Sequence, residues 1–232
     1  MPAEITFRID LPHGRCVGAR IPDVVDPAST ALLASEEQAF LDTLSAARKP
    51  TWLAGRVALH AALADIGIDV GPILSTQRGA PALPDHVCGS ISHKRTLAVG
   101  LAARNIDDLS LGVDIEPVPT IPPNPVEPGW DNRPDISSRV MTAEELAHLA
   151  TVPERLRRRE VVLCFSIKEA LYKAINPRLG RYVSFQEATV HAHPDGEIDV
   201  KLTLAGNDGG FSAEARWSEI DGHFLTTARV RG

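Results

Sequence analysis

The segment Leu109-Ser110-Leu111-Gly112-Val113-Asp114-Ile115-Glu116-Pro117 limits what this chain can become more than any other. It reads as a strand entering a core, yet it carries two acids. Residues two apart in a strand point to the same face, so Asp114 and Glu116 stand side by side and repel. A shared cation would remove that cost. Oxygen-only donors suit Mg²⁺, which takes one or two carboxylates together with substrate phosphates. The other reading leaves both acids in water beside the loop that follows. That loop holds Pro117, Pro119, Pro122, Pro123, Pro125, Pro128 and Pro134. So many prolines exclude helix and sheet, and a mobile excursion next to the acids is expected.

A second segment carries matching chemistry. In Phe165-Ser166-Ile167-Lys168-Glu169-Ala170-Leu171-Tyr172-Lys173 and its flanks, Leu163, Ile167, Ala170, Leu171 and Ala174 form one apolar stripe at helical spacing. Glu169, Lys173 and Asn176 fall on the far side with Phe165 and Tyr172, a mixture expected of a cleft wall. Glu169 and Lys173 also have the spacing of an ordinary i,i+4 ion pair, worth about 0.2–0.5 kcal/mol. Lys168 reads as solvent-facing. Set beside Asp114 and Glu116, the acids and lysine describe a metal–phosphate site.

Gly112-Val113-Asp114-Ile115-Glu116 followed by Phe165-Ser166-Ile167-Lys168-Glu169-Ala170-Leu171-Tyr172-Lys173 resembles the two signature motifs of Sfp-type 4′-phosphopantetheinyl transferases. Upstream, Arg48 to Arg56, Arg78-Gly79-Ala80-Pro81 and Gly89-Ser90-Ile91-Ser92-His93 resemble further segments of that family, in order. The likeness is nearest to its siderophore and polyketide branch. Phe165 stands where many relatives have tryptophan. The resemblance implies a pseudo-dimeric fold and transfer of the 4′-phosphopantetheine arm of coenzyme A to a serine of acyl or peptidyl carrier proteins. It implies that Arg48, Arg56, Arg78, Ser92 and His93 contact coenzyme A, with Lys173 at the pyrophosphate. Asp114, Glu116 and Glu169 would bind Mg²⁺ or Mn²⁺, and Glu169 is also the candidate general base.

Each supporting residue has a plainer reading. His93 would be structural beside a strand, and Arg56 a rim arginine snorkelling from an apolar helix. Arg155, Arg157, Arg158 and Arg159 form either a basic patch or a solvated helix face. His191 and His193 lack a third ligand and read as strand-edge residues.

Composition supports a globular chain: 232 residues with 44% hydrophobic content bury a sizeable core. No apolar run approaches the ~18 residues of a membrane span, and Met1 to Asp10 lacks a signal-peptide core, so a cytoplasmic location is expected. A net charge of −6 argues against nucleic-acid binding. Cys16, Cys88 and Cys164 have neither zinc nor disulfide spacing and are expected buried and free.

Element order suggests two α+β halves, 1–108 with the nucleotide contacts and 109–232 with the metal site and catalytic helix. The first half reads as a strand at Glu4–Leu11, a helix from a Ser35 capping box to Ala46, a helix Thr51–Ile66, and strands at Ile73–Ser75 and within Ser90–Leu101. In the second half, Thr142 caps a helix to Ala150, and a long helix begins near Pro153 and ends before Pro177. Strands follow at Tyr182–His191, Glu197–Leu204, Phe211–Glu219 and His223–Val230. A monomer with an internal pseudo-dyad is expected. A Mg²⁺-dependent phosphohydrolase and a non-catalytic carrier-binding relative are the competing functions; the first would leave the ordered arginine and Ile-Ser-His segments without a use.

Overall fold

The computed structural model describes residues 3–106, 108–121, 134–206 and 210–232. Most of the proline-rich stretch therefore lies outside the described residues.

The chain opens with β1 (Ile5–Leu11) and β2 (Gly14–Arg20), then α1 (Pro27–Thr30), α2 (Ser35–Thr43) and α3 (Lys49–Asp65), followed by the hairpin β3 (Val87–Lys94) and β4 (Leu97–Arg104). Next come β5 (Leu109–Pro117), α4 (Ser137–Val140), α5 (Ala143–Thr151), α6 (Glu154–Leu179), a 3₁₀ turn (Phe185–Glu187), β6 (Ala188–Ala192), β7 (Glu197–Leu202), β8 (Ser212–Ile220) and β9 (His223–Arg231). The strands form two sheets, ordered β1-β2-β4-β3 and β5-β9-β8-β7-β6, with all named pairings antiparallel. This is an α+β fold in which α3 lies on the first sheet and α6 on the second.

Each long helix meets its sheet at a glycine. A Cβ on Gly100 of β4 would sit 2.4 Å from Leu59 N in α3, and one on Gly112 of β5 would sit 1.8 Å from Ala170 O in α6. Only a residue without a side chain allows such backbone approach. The α6 stripe of Leu163, Ile167, Ala170, Leu171 and Ala174 is buried as the spacing predicted, against Phe224, Ala228 and Val230 of β9. Leu111, Val113 and Ile115 of β5 pack instead with Val99 and Leu101 of β4, so β5 contributes a core residue set to the joint between the sheets. Gly112 and Asp114 of β5 lie against α6.

Several expectations are corrected. Strand β2 went unread because two glycines and two arginines hide its apolar residues, yet it is the buried neighbour of both β1 and β4. Ile73–Ser75 is no strand beyond a single bridge from Ser75 to Pro81. Helix α2 starts after Ala34, whose N–H donates to Glu37 at 2.9 Å, so Ser35 is not the cap, and the helix stops at Thr43. Helix α6 runs through Pro177, whose missing N–H forfeits the bond to the Lys173 carbonyl but leaves only two more helical residues to hold. Gly180, at φ 64, then closes it with an N–H to Asn176 O at 3.0 Å. Of Tyr182–His191, the first part is irregular or 3₁₀, and pairing begins at Ala188. The Thr142 capping box of α5 forms as expected, with Glu145 returning to the Thr142 N–H at 2.6 Å. All three cysteines are free and buried. Among the described residues, no helix is long and apolar enough to cross a membrane.

Candidate active site

Side chains two apart on β3 reach across to β5. Ser90 Oγ accepts the Val113 N–H at 3.1 Å, Ser92 donates to Asp114 Oδ1 at 2.8 Å, and Lys94 Nζ lies 2.7 Å from Glu116 Oε1. The two-residue period of both strands sets this spacing. Helix α6 adds contacts from the other side. Ser166 donates to Asp114 Oδ2 at 2.9 Å. Lys173 donates to Asp114 Oδ1 at 2.8 Å, Ser92 Oγ at 3.0 Å and Val113 O at 2.9 Å. Three acceptors saturate its ammonium. The predicted Glu169–Lys173 helix pair therefore does not form, because Lys173 reaches the strand instead.

Beside this cluster lies a cleft of about 580 Å³, lined by Arg48, Arg56, Arg78, His93, Glu169 and Lys173 together with Trp52, Tyr172 and Asn176. Ser92, Asp114 and Glu116 are buried behind that lining. Arg56 is buried rather than snorkelling: Nε donates to Ile73 O at 2.6 Å, Nη2 to Leu74 O at 3.3 Å and Ser75 Oγ at 2.8 Å, and the guanidinium stacks 4.5 Å over Trp52. Burial pulls its pKa to about 10, which leaves it a cation. Arg48 and Arg78 are exposed at the cleft, Arg78 donating to Gly180 O. His93 opens to solvent, yet the surrounding protein and then Lys173 hold its pKa below the usual histidine value.

Burial, reinforced by the charges of Asp114 and Glu116 and opposed by Lys173, raises the pKa of Glu169. Burial also raises Glu116, opposed by Lys94 and assisted by Asp114. These acids feel one another, but among the described residues no group of three His, Cys, Asp or Glu side chains is close enough to hold a metal ion. Lysines occupy the carboxylates: Lys173 takes Asp114 and Lys94 takes Glu116. The donor chemistry still fits a divalent cation, since all three groups are carboxylates and their mutual repulsion is what a cation relieves.

Other expectations fall away from the site. Lys168 is buried, donating to Val140 O, Glu145 Oε2 and Phe185 O at 2.9, 2.7 and 2.9 Å, and so ties α6 to α5. Phe165 packs on Phe185 and does not line the cleft. Three of the four clustered arginines are engaged, Arg157 donating to Val152 O and Ala150 O, Arg158 to Pro134 O, and Arg159 pairing with Glu219, while Arg155 is exposed. His191 lies 3.3 Å from Glu144 and His193 2.8 Å from Asp199. The sequence reading missed Ser166 and Lys94. Both were within reach: Ser166 is a hydroxyl beside the apolar stripe, and Lys94 follows Ser92 by the interval at which Glu116 follows Asp114.

Comparison with known proteins meets this geometry. A model described as the 4′-phosphopantetheinyl transferase N-terminal domain matches residues 36–103, and one described as the 4′-phosphopantetheinyl transferase superfamily matches residues 110–228. The chain is 34% identical over 213 residues to the 4′-phosphopantetheinyl transferase Svp of Streptomyces mobaraensis, covering 88% of this chain and 80% of that protein. It is 30% identical to the 4′-phosphopantetheinyl transferase Npt of Nocardia iowensis, covering 77% and 81%. It is 29% identical to enterobactin synthase component D of Salmonella typhimurium, covering 77% and 70%. None of these matches supports a phosphohydrolase. A strand bearing Asp114 and Glu116, a helix presenting Glu169 and Lys173 and a cationic cleft between them thus occur in a chain that belongs to the 4′-phosphopantetheinyl transferase superfamily.

Proposed function

We propose that the cleft binds coenzyme A and that the chain transfers its 4′-phosphopantetheine arm to a serine of an acyl or peptidyl carrier protein, releasing 3′,5′-ADP. The observation that carries this reading is the three-way contact of Lys173 with Asp114, Ser92 and Val113 at the edge of a cleft lined by Arg48, Arg56, Arg78 and His93. Coenzyme A carries a pyrophosphate and a separate 3′-phosphate, so it needs cations at two places. The forks of Arg48 and Arg78 suit the 3′-phosphate and nucleotide, with Arg56 and His93 beside them. Lys173, its three N–H groups held by Ser92, Val113 and Asp114, would set its positive charge beside the pyrophosphate.

Asp114, Glu116 and Glu169 would hold Mg²⁺, with Mn²⁺ as a substitute, and the ion would offset charge on the pyrophosphate and leaving nucleotide. Glu169 faces the cleft and accepts no hydrogen bond among the described residues. A carboxylate is a poor base while it grips a cation tightly, so Glu169 would take the carrier serine's proton with an oxygen left free of the ion or through a water. The serine oxygen attacks the β-phosphorus as the bond to the leaving 3′,5′-ADP breaks. Residues 1–108 supply the nucleotide contacts and 109–232 the acids, acting within one chain as a cytoplasmic monomer.

The test is incubation with coenzyme A, Mg²⁺ and an apo-carrier, read by intact mass. A carrier heavier by one phosphopantetheine arm supports the proposal. Coenzyme A breakdown without transfer, or no change at all, contradicts it.

A further inference from the structure

The two lysines at the acidic pair are held very differently. Lys173 has three acceptors and a side chain 26% exposed. Lys94 has one acceptor among the described residues, Glu116 Oε1 at 2.7 Å, and its side chain is 43% exposed against 11% for Glu116. Removing Lys173 from Asp114 would strand a partly buried ammonium and free the Ser92 hydroxyl and Val113 carbonyl. Moving Lys94 breaks a single contact, and water replaces it around a flexible four-carbon stem. Glu116 cannot do likewise, because it is fixed in β5 and buried.

We propose that Lys94 is a displaceable counter-ion of Glu116: it holds the buried carboxylate in place and swings to solvent when a divalent cation takes that oxygen. This rests on the metal reading of Asp114, Glu116 and Glu169 given above. It makes Lys94 a positioning residue that sets metal affinity without touching substrate. It follows that the site gives up an existing ion pair each time it loads, so that removal of Lys94 tightens metal binding.

The test is calorimetric titration of Mn²⁺ into the protein saturated with coenzyme A, with the nucleotide's own Mn²⁺ uptake subtracted. The chains compared are the unaltered protein, Lys94→Ala, Arg95→Asn and Asp114→Asn. Arg95 sits in the following turn at φ 52, a conformation asparagine tolerates, and controls for loss of nearby positive charge alone. Lys94→Ala is expected to bind Mn²⁺ on the order of three- to tenfold more tightly, and Arg95→Asn to match the unaltered chain. Equal or weaker binding by Lys94→Ala, or equal tightening by Arg95→Asn, overturns the counter-ion role and leaves the metal reading standing. No uptake by the unaltered chain beyond that of the nucleotide, or uptake undiminished in Asp114→Asn, removes the metal reading and the role of Lys94 with it.

Discussion

Lys173 Nζ lies 2.8 Å from Asp114 Oδ1, joining the cleft face of α6 to the buried strand β5. Asp114 also accepts from Ser92 and Ser166, so one carboxylate gathers β3, β5 and α6. Asp114→Asn removes the charge while keeping the shape. Transfer is expected to fall by on the order of 10²-fold or more, since charge placement at a phosphoryl centre carries most of such a rate. Stability is expected to fall by about 2 kcal/mol, below the usual cost of breaking a fully buried pair because Lys173 is partly solvated. Intact-mass transfer rates and urea unfolding check both. Near-normal turnover would show that Asp114 is only structural.

The Gly112 approach to Ala170 gives a second expectation. In Gly112→Ala the new methyl meets Ala170 O at 1.8 Å and Ala174 N at 2.8 Å, and both are backbone atoms, so α6 must lift from β5. Overpacking of this kind costs about 1–3 kcal/mol. Lifting the helix also draws Lys173 from Asp114, so the melting temperature and transfer should fall together. A variant with unchanged melting temperature and activity would mean that α6 does not depend on this contact.

Where local pattern and tertiary demand agree, the sequence was enough to place the element. The α6 stripe, the Thr142 cap and the alternation of β5 are of this kind. Elements were misread where distant partners decide. Ile73–Ser75 looks like a strand, but its groups are satisfied by Arg56 and by Glu37, which accepts the Ile73 N–H at 3.0 Å. Lys168 looks solvated because the Glu145 that neutralises it comes from another helix. At the site, the residue types were readable, but their pairing was not. The i,i+4 rule joins Glu169 to Lys173, whereas the depth of Gly112 brings Lys173 to Asp114.

Arg56 holds the cleft wall through Ile73, Leu74 and Ser75 while lining the cleft. Arg56→Ala should weaken coenzyme A binding by about tenfold, or 1.4 kcal/mol, and slow bound-state chemistry far less, because these contacts are the same before and during the reaction. Arg56→Lys keeps a cation but not the fork, and should recover little affinity. Calorimetric affinity for coenzyme A set beside single-turnover rates separates the two effects. Unchanged affinity in Arg56→Ala would contradict the assignment.

His13, in the turn between β1 and β2, is buried with Nδ1 2.9 Å from Thr227 Oγ1 of β9, and its Nε2 has no hydrogen-bond partner among the described residues. Burial first, then Arg229 and Arg216 against the opposing Glu214, lower its pKa to about 4 from an ordinary 6.5. The sign follows directly. Below pH 6.5 the unfolded chain takes up a proton that the folded chain refuses until about pH 4, so stability present at neutral pH is lost across that interval. The full loss is about 3 kcal/mol, and about 2 kcal/mol of it is reached by roughly pH 5. His13→Gln has no such proton to bind. Urea unfolding at neutral pH and near pH 5 should show the unaltered chain losing about 2 kcal/mol more than this variant. Because the contact ties the β1–β2 turn to the second sheet, the loss should register as loosening between the sheets, read by amide exchange in β9. Parallel pH profiles for the two chains would mean that His13 is protonated as readily in the fold as outside it.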